Sequence, residues 1–248
     1  MDPGAGGLTA MEILGNGVAW LLDPAHWSGS NGIPVRLLEH VALSGASFLV
    51  AALVAVPVGL YTGHTGRWGT TVLNVASIGR AIPSYALLLV FFTLTGVLGA
   101  PTTLPTLVLL AIPPLLAGVH VAIREVDRDT IEAGRGMGMR ELQVLRRVEL
   151  PAGMPLIFVG ARTAAVQVVA TATLGALVAG GGLGRYIVDG FALRGAEGTA
   201  RLVAGAILVA LLAIATERLF TLVERRVAIP RGIRAATPVG LRPRPGGI

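Results

Sequence analysis

Cysteine is absent from the 248 residues. That excludes disulfide frameworks, thiolate metal sites and cysteine nucleophiles, and it leaves cysteine usage silent about redox compartment. Lysine is absent too: all twenty basic residues are arginine. The phosphate-cradling G-x-x-x-x-G-K-[ST] loop, whose lysine reaches the β- and γ-phosphates, therefore cannot be built here, and if ATP drives this protein another chain binds it. Charge is scarce, at 14% of residues against roughly 25% in an average soluble domain. No internal repeat is visible, which weighs against the inverted-repeat architectures of many secondary transporters. The four histidines, His26, His40, His64 and His120, follow no metal-ligand spacing. They read as interfacial or loop residues, and no metal site is expected.

What the chain has instead is apolar length. Hydrophobic residues make up 53%. Five runs, about 35–61, 73–98, 104–123, 154–179 and 202–222, each supply the ~20 residues with which a helix crosses ~30 Å of hydrocarbon. Lipid cannot satisfy exposed backbone groups, so the fold class expected is an all-α integral membrane protein with five transmembrane helices. Arginines concentrate in two places. Arg124, Arg128, Arg135, Arg140, Arg146 and Arg147 lie in the loop from 124 to 151, and seven more follow Arg218 inclusive at the C-terminal end. Both segments are expected in the cytoplasm, with the N-terminus outside. The chain divides into an extracytoplasmic segment at 1–34, a transmembrane domain at 35–222 and a basic cytoplasmic tail at 223–248. The apolar run Met11 to Leu22 is too short to span; an interfacial outer helix with Trp20 and Trp27 near the headgroups is the alternative.

The spans are nearly free of charge. Arg80 sits at an entrance, Glu39 and His40 near an outer end, and Arg162 about two turns inside the fourth span is the candidate for burial. Proton or sodium coupling has little to work with. The longest polar interruption, Glu125 to Pro151, reads as two short helices broken at glycine. Asp129 or Thr130 can cap the first, and Gly134, Gly136 and Gly138 permit a tight turn. Met139, Leu142, Leu145 and Val148 recur at helical spacing before Pro151 ends the segment. Gly134-x-Gly-x-Gly138 follows a membrane helix rather than a strand, so it is not a nucleotide fingerprint.

This segment resembles the EAA loop of type I ABC importer permeases, in which Glu-Ala-Ala, a glycine and a terminal Leu-Pro mark the helix that docks in a groove of the ATPase. Glu132, Ala133, Gly138, Leu150 and Pro151 match at the family's spacing; Gly134 replaces the second alanine and Val148 an isoleucine. The resemblance implies that Glu132 supplies charge at the joint, Gly138 the turn, and Met139 with Leu142 the apolar contact. Ala81-Ile-Pro-Ser84, Arg124-Glu-Val-Asp127, and Arg162 to Val166 through Gly180 to Gly184 are similar to permeases of glycine betaine, carnitine and choline osmoprotectant systems.

The resemblance implies a type I permease core in a bacterial cell membrane, with no enzymatic activity and no cofactor of its own. ATP and magnesium would sit on two copies of a partner ATPase. A second permease, identical or paralogous, and an extracytoplasmic substrate-binding protein complete the partners; nucleic acid is not among them. Arg185, Asp189, Arg194 or Glu197 would receive the binding protein, and Gly180 to Gly184 would form an outer gate or turn. Candidate path residues are Pro83 and Tyr85 in the second span and Thr163, Gln167 and Thr171, which recur every four residues on one face of the fourth. For the threonines and glutamine interhelical hydrogen bonding is the competing role, and for Pro83 a packing kink. Competing functions are the same machine carrying methionine or another amino acid, and an ion-coupled carrier or channel.

Overall fold

A computed structural model of the chain describes residues 9–193 and 195–227. Arg194, and the tail from residue 228 onward, lie outside the described residues, and with them those parts of the docking and tail expectations. Among the described residues every element is helical.

The first long helix, which follows α1 (Ala10–Leu22), is α2 (Ile33–Thr65). It opens with Pro34 in its first turn, where donors lack intrahelical partners anyway, and closes at Gly66 with φ +68, a left-handed cap. The run expected over 73–98 is instead two helices, α3 (Gly69–Ala81) and α4 (Ser84–Thr95), bent by 86°. Pro83 causes the break. It donates no N–H and pushes Ile82 into extended backbone at φ −70, ψ 123, so the expected kink becomes an elbow. α5 (Ala100–Arg124) carries Pro101, Pro105, Pro113 and Pro114 yet stays helical, with much of its length buried.

After the polar loop, α7 (Glu141–Val144), a π turn (Leu145–Glu149), α8 (Leu150–Ala172) and a 3₁₀ segment (Thr173–Val178) form one rod from Glu141 to Val178. Pro151 therefore does not end the loop helix, contrary to expectation. It occupies the first turn of α8, where the π turn has already shifted the bonding, with Leu150 N–H donating to Leu145 O. The link expected over 180–201 contains a further short helix, α9 (Gly184–Ala192), ahead of α10 (Ala196–Val227). Among the described residues four helical rods are long and apolar enough to cross a membrane, and five crossings result if the bent pair counts as one.

The main core joins Ala51 and Ala55 of α2, Leu107, Ala111 and Leu115 of α5, and Ala164 and Val168 of α8. Small residues let these helices approach closely: a Cβ built on Gly118 of α5 falls 2.8 Å from Gly160 Cα of α8. A smaller core of Ile33, Leu183 and Tyr186 joins α9 to Trp20 and Leu21 of α1 and to Leu208 and Leu212 of α10. α1 lies against α10 at Gly17, where a Cβ would meet Val203 Cγ1 at 2.5 Å. Large apolar side chains also cover the exterior, among them Leu38, Leu53, Ile78, Leu94 and Leu211, each more than half exposed. Such a surface suits hydrocarbon, not water.

Candidate functional site

The loop after α5 is built by two cooperating caps. Asp127, not Asp129 or Thr130, is the N-cap of α6 (Arg128–Gly136): its carboxylate accepts from Thr130 N–H at 3.2 Å and from the Thr130 hydroxyl at 2.9 Å. The helix thus begins earlier than read from the sequence, because Asp127 offers an acceptor three residues ahead of Thr130. These bonds hold the Asp127 carboxyl below the ordinary aspartate range.

At its other end α6 closes in a Schellman turn. Gly138 N–H donates to Arg135 O at 2.9 Å and Met139 N–H to Gly134 O at 3.2 Å, with Gly138 at φ +80. Gly134 and Gly136 are helical, so only Gly138 has the turn role expected of the three. Gly134 is instead a close-packing position. A Cβ there would meet Val148 Cγ2 at 3.3 Å and Met139 Sδ at 3.7 Å. Met139 is accordingly turned back onto the turn it follows, and the exposed apolar side chains are Met137 and Leu142, 71% and 55% exposed. Glu132, Ala133 and Pro151 are exposed, Leu150 half-buried.

A chain of charged groups ties this loop to the spans. Arg135 of α6 makes a two-pronged bond to Glu141 of α7, Nε to Oε1 at 3.1 Å and NH2 to Oε2 at 2.9 Å. Glu141 Oε2 lies 3.4 Å from His64 Nε2 in the last turn of α2. His64 Nδ1 lies 2.6 Å from Glu149 Oε2, in the π turn that leads into α8. Glu149 is only 3% exposed, so its carboxylate depends on that imidazole for company.

The opposite end of the same two helices is also fastened by polar groups. Glu39 Oε2 accepts from Gly182 N–H at 2.8 Å and from Arg36 NH1 at 2.9 Å. His40 Nδ1 accepts from Leu183 N–H at 3.3 Å, which leaves Nε2 to donate to Val169 O at 2.9 Å. Gly181 and Gly182 take φ of +79 and +72 to meet them, and a Cβ on Gly182 would lie 2.9 Å from His40 Nδ1. The reading of the histidines as interfacial or loop residues is therefore corrected. His40 and His120 are buried, the latter bonded to Thr62 Oγ1 at 3.0 Å, and only His26 sits in a short surface turn, stacked on Trp20. Each buried ring satisfies polar groups at a helix contact, a demand that spacing in sequence does not reveal. No metal-ligating cluster occurs among the described residues.

The path candidates lie on separate elements. Pro83 and Tyr85 mark the α3–α4 elbow, with Tyr85 about half exposed; both helices pack on α5, as does α8. On α8, Thr163 is exposed and its hydroxyl donates to Val159 O at 2.9 Å, while Gln167 and Thr171 are half-buried. Arg162, the candidate for burial, is partly buried and donates from NH1 to Thr221 Oγ1 of α10 at 3.1 Å. Asp189, a candidate for receiving the binding protein, is committed internally between Arg185 and Arg201, each at 2.8 Å. His64, Glu149, Arg135 and Glu141 were not singled out from the sequence. A 3.5–3.6 residue period flags none of them, since their association depends on α2 and the π turn meeting 85 residues apart.

Residues 55–229 match the family described as binding-protein-dependent transport system inner membrane component. The carnitine transport permease protein OpuCD of Listeria monocytogenes is 37% identical over 205 residues, 83% of this chain and 90% of that protein. The choline transport system permease protein OpuBB of Bacillus subtilis is 33% identical over 199 residues, covering 80% and 89% respectively. Among solved structures, an inward-facing MetNI methionine ABC transporter superposes with a TM-score of 0.64 at 27% identity, covering 77% of this chain and 95% of that one.

Proposed function

We propose a function that starts from family membership: the chain belongs to the binding-protein-dependent transport system inner membrane components. It is a multi-pass membrane protein and the permease subunit of an ATP-binding-cassette importer. Its cargo is a quaternary-ammonium osmoprotectant of the glycine betaine, carnitine and choline class. The observation that carries the mechanism is the α6–α7 loop: a helix capped at both ends, presenting Glu132, Ala133, Met137 and Leu142 to a partner while Arg135 and Glu141 anchor it.

In this reading the loop end of the bundle is cytoplasmic and the Gly180–Gly184 end faces outward. Two copies of an ATPase carry ATP and magnesium and grip the loops of two permease subunits; this chain binds no cofactor. A loaded binding protein docks outside, ATP-driven closure opens the paired permeases outward, and hydrolysis returns them. A rigid helix in a groove suits that task because nucleotide-dependent closure then becomes displacement of the spans. Pro83, Tyr85, Thr163, Gln167 and Thr171 are assigned to the path between the halves. The cargo assignment draws on the relatives, carnitine and choline permeases at 33–37% identity. The solved methionine transporter, at 27%, supplies the second reading, an amino-acid cargo.

The test is ATP-dependent uptake into proteoliposomes holding the permease, its ATPase and its binding protein, with labelled glycine betaine, carnitine, choline and methionine offered separately. Uptake of one or more quaternary ammonium compounds, with methionine excluded, is the expected result. Methionine uptake alone overturns the cargo and leaves the importer; no ATP-dependent uptake of any solute overturns both.

A further inference from the structure

The rod from Glu141 to Val178 and the helix α2 share an apolar core, but near the loop end they meet through His64, Glu141 and Glu149. There the protein places a buried carboxylate, Glu149, at the end of the five-residue π turn of the rod. A π turn, with its i→i+5 bonding, is rare in helices and is found frequently at functional sites. His64, in the last turn of α2, faces both carboxylates: Nδ1 on Glu149 and Nε2 on Glu141. Glu141 is in turn clasped by Arg135, a residue of α6.

We propose that His64 and Glu149 are positioning residues that transmit displacement of the docking helix to the membrane spans. Movement of α6 reaches Glu141 through Arg135. Glu141 then acts on α2 through His64, and His64 acts on the π turn of α8 through Glu149. The linkage runs through the hydrogen bonds Arg135–Glu141 and His64–Glu149, joined where Glu141 Oε2 approaches His64 Nε2 at 3.4 Å, so it resists shear in a way that apolar side chains sliding past each other do not. It also makes α2 and α8 move together at the loop end, while at the far end His40 Nε2 bonded to Val169 O holds the same two helices and the Glu39 and His40 bonds to residues 182–183 fasten the loop beyond the rod. Surface exposure of the Arg135–Glu141 pair, 47% and 61%, makes it a weak stabiliser; its role here is to fix direction. Other charged groups near the joint are Arg124, Arg128 and Glu132, which line the same small cleft as His64 and Glu149.

The inference rests on the loop being the docking site, so its test must separate the two. In proteoliposomes containing the complete complex, ATP hydrolysis and cargo uptake are measured together for wild type, His64→Ala, and the double variant His64→Ala with Glu149→Gln. The double variant alters both partners together, so neither native side chain is left facing a missing one, which protects the fold. Expected is near-normal hydrolysis with the uptake-to-hydrolysis ratio lowered by roughly three- to thirtyfold, the span of coupling losses reported by mutations along a linkage. A ratio within twofold of wild type in the double variant overturns the proposal, as does a parallel fall of uptake and hydrolysis. Glu132→Ala with Gly138→Leu serves alongside: if that variant leaves uptake and ATPase association untouched, the docking reading fails, whatever His64 does.

Discussion

Replacing Gly118 with alanine tests how the bundle is closed. A Cβ on Gly118 lies 2.8 Å from Gly160 Cα, and the reciprocal Cβ on Gly160 lies 2.8 Å from Gly118 Cα. Ordinary carbon contacts need ~3.5–4.0 Å, so α5 and α8 must separate by about 0.7–1.2 Å at the crossing. The obstacle is backbone, so no side chain can swing aside. A gap of that size forfeits a quarter to a half of each dispersion contact around it. Those contacts include Leu115 against Ala164 and Val168, in the main core. Overpacking of this kind costs about 1–3 kcal/mol. The absence of cysteine provides the assay. Val168→Cys, at a site 2% exposed, becomes the only thiol in the chain, and its modification rate under native conditions reports how often the core opens. Adding Gly118→Ala is expected to raise that rate by roughly 5- to 150-fold. Gly45→Ala, with nothing within 4 Å of the new methyl, is the control and should leave the rate unchanged or slightly lower. Equal rates for Gly118→Ala and the Gly45→Ala control would refute the close-crossing account.

Three other outcomes follow from the same geometry. Gly182→Ala forces both a left-handed backbone, φ +72, and a methyl 2.9 Å from His40 Nδ1, so it should cost more in thermal stability of the detergent-solubilised protein than Gly29→Ala, where φ is +80 but space is open. The left-handed strain alone is about 1–2 kcal/mol. Asp127 is held below the ordinary carboxylate range by Thr130, so its stabilisation of α6 is present above the unfolded aspartate value and is lost as pH falls through the folded one. Amide exchange in 128–136, corrected for intrinsic rates, should therefore lose protection on acidification, and Asp127→Ala should remove that pH dependence. Gly136→Ala, at a helical site with nothing within 4 Å, should strengthen α6 by up to ~1 kcal/mol, seen as slower exchange in the same segment.

Apolar length made the helical membrane fold legible, and the match at Glu132, Ala133, Gly138, Leu150 and Pro151 marked the loop. Gly138 is the clearest case, because only a residue free to adopt φ +80 closes α6 in this way. What escaped was set by tertiary contact. Pro83 and Pro151 are the same residue type, yet one breaks its helix by 86° while the other is absorbed behind a π turn. Local sequence does not separate these fates, since they depend on whether neighbouring carbonyls find other donors. Met139 fits the helical period but turns inward onto Gly134, leaving Met137 exposed in its place. His40, His64 and His120 looked incidental because each partner lies on a different helix, 58 to 143 residues away.

The central claim is that the α6–α7 loop couples ATP hydrolysis on another subunit to passage of cargo through this one. Its most direct test is uptake of labelled glycine betaine by the reconstituted complex, comparing wild type with Glu132→Ala plus Gly138→Leu after confirming equal insertion of both. The account predicts ATP-dependent uptake by wild type and its loss in the variant; uptake indifferent to both substitutions would contradict it.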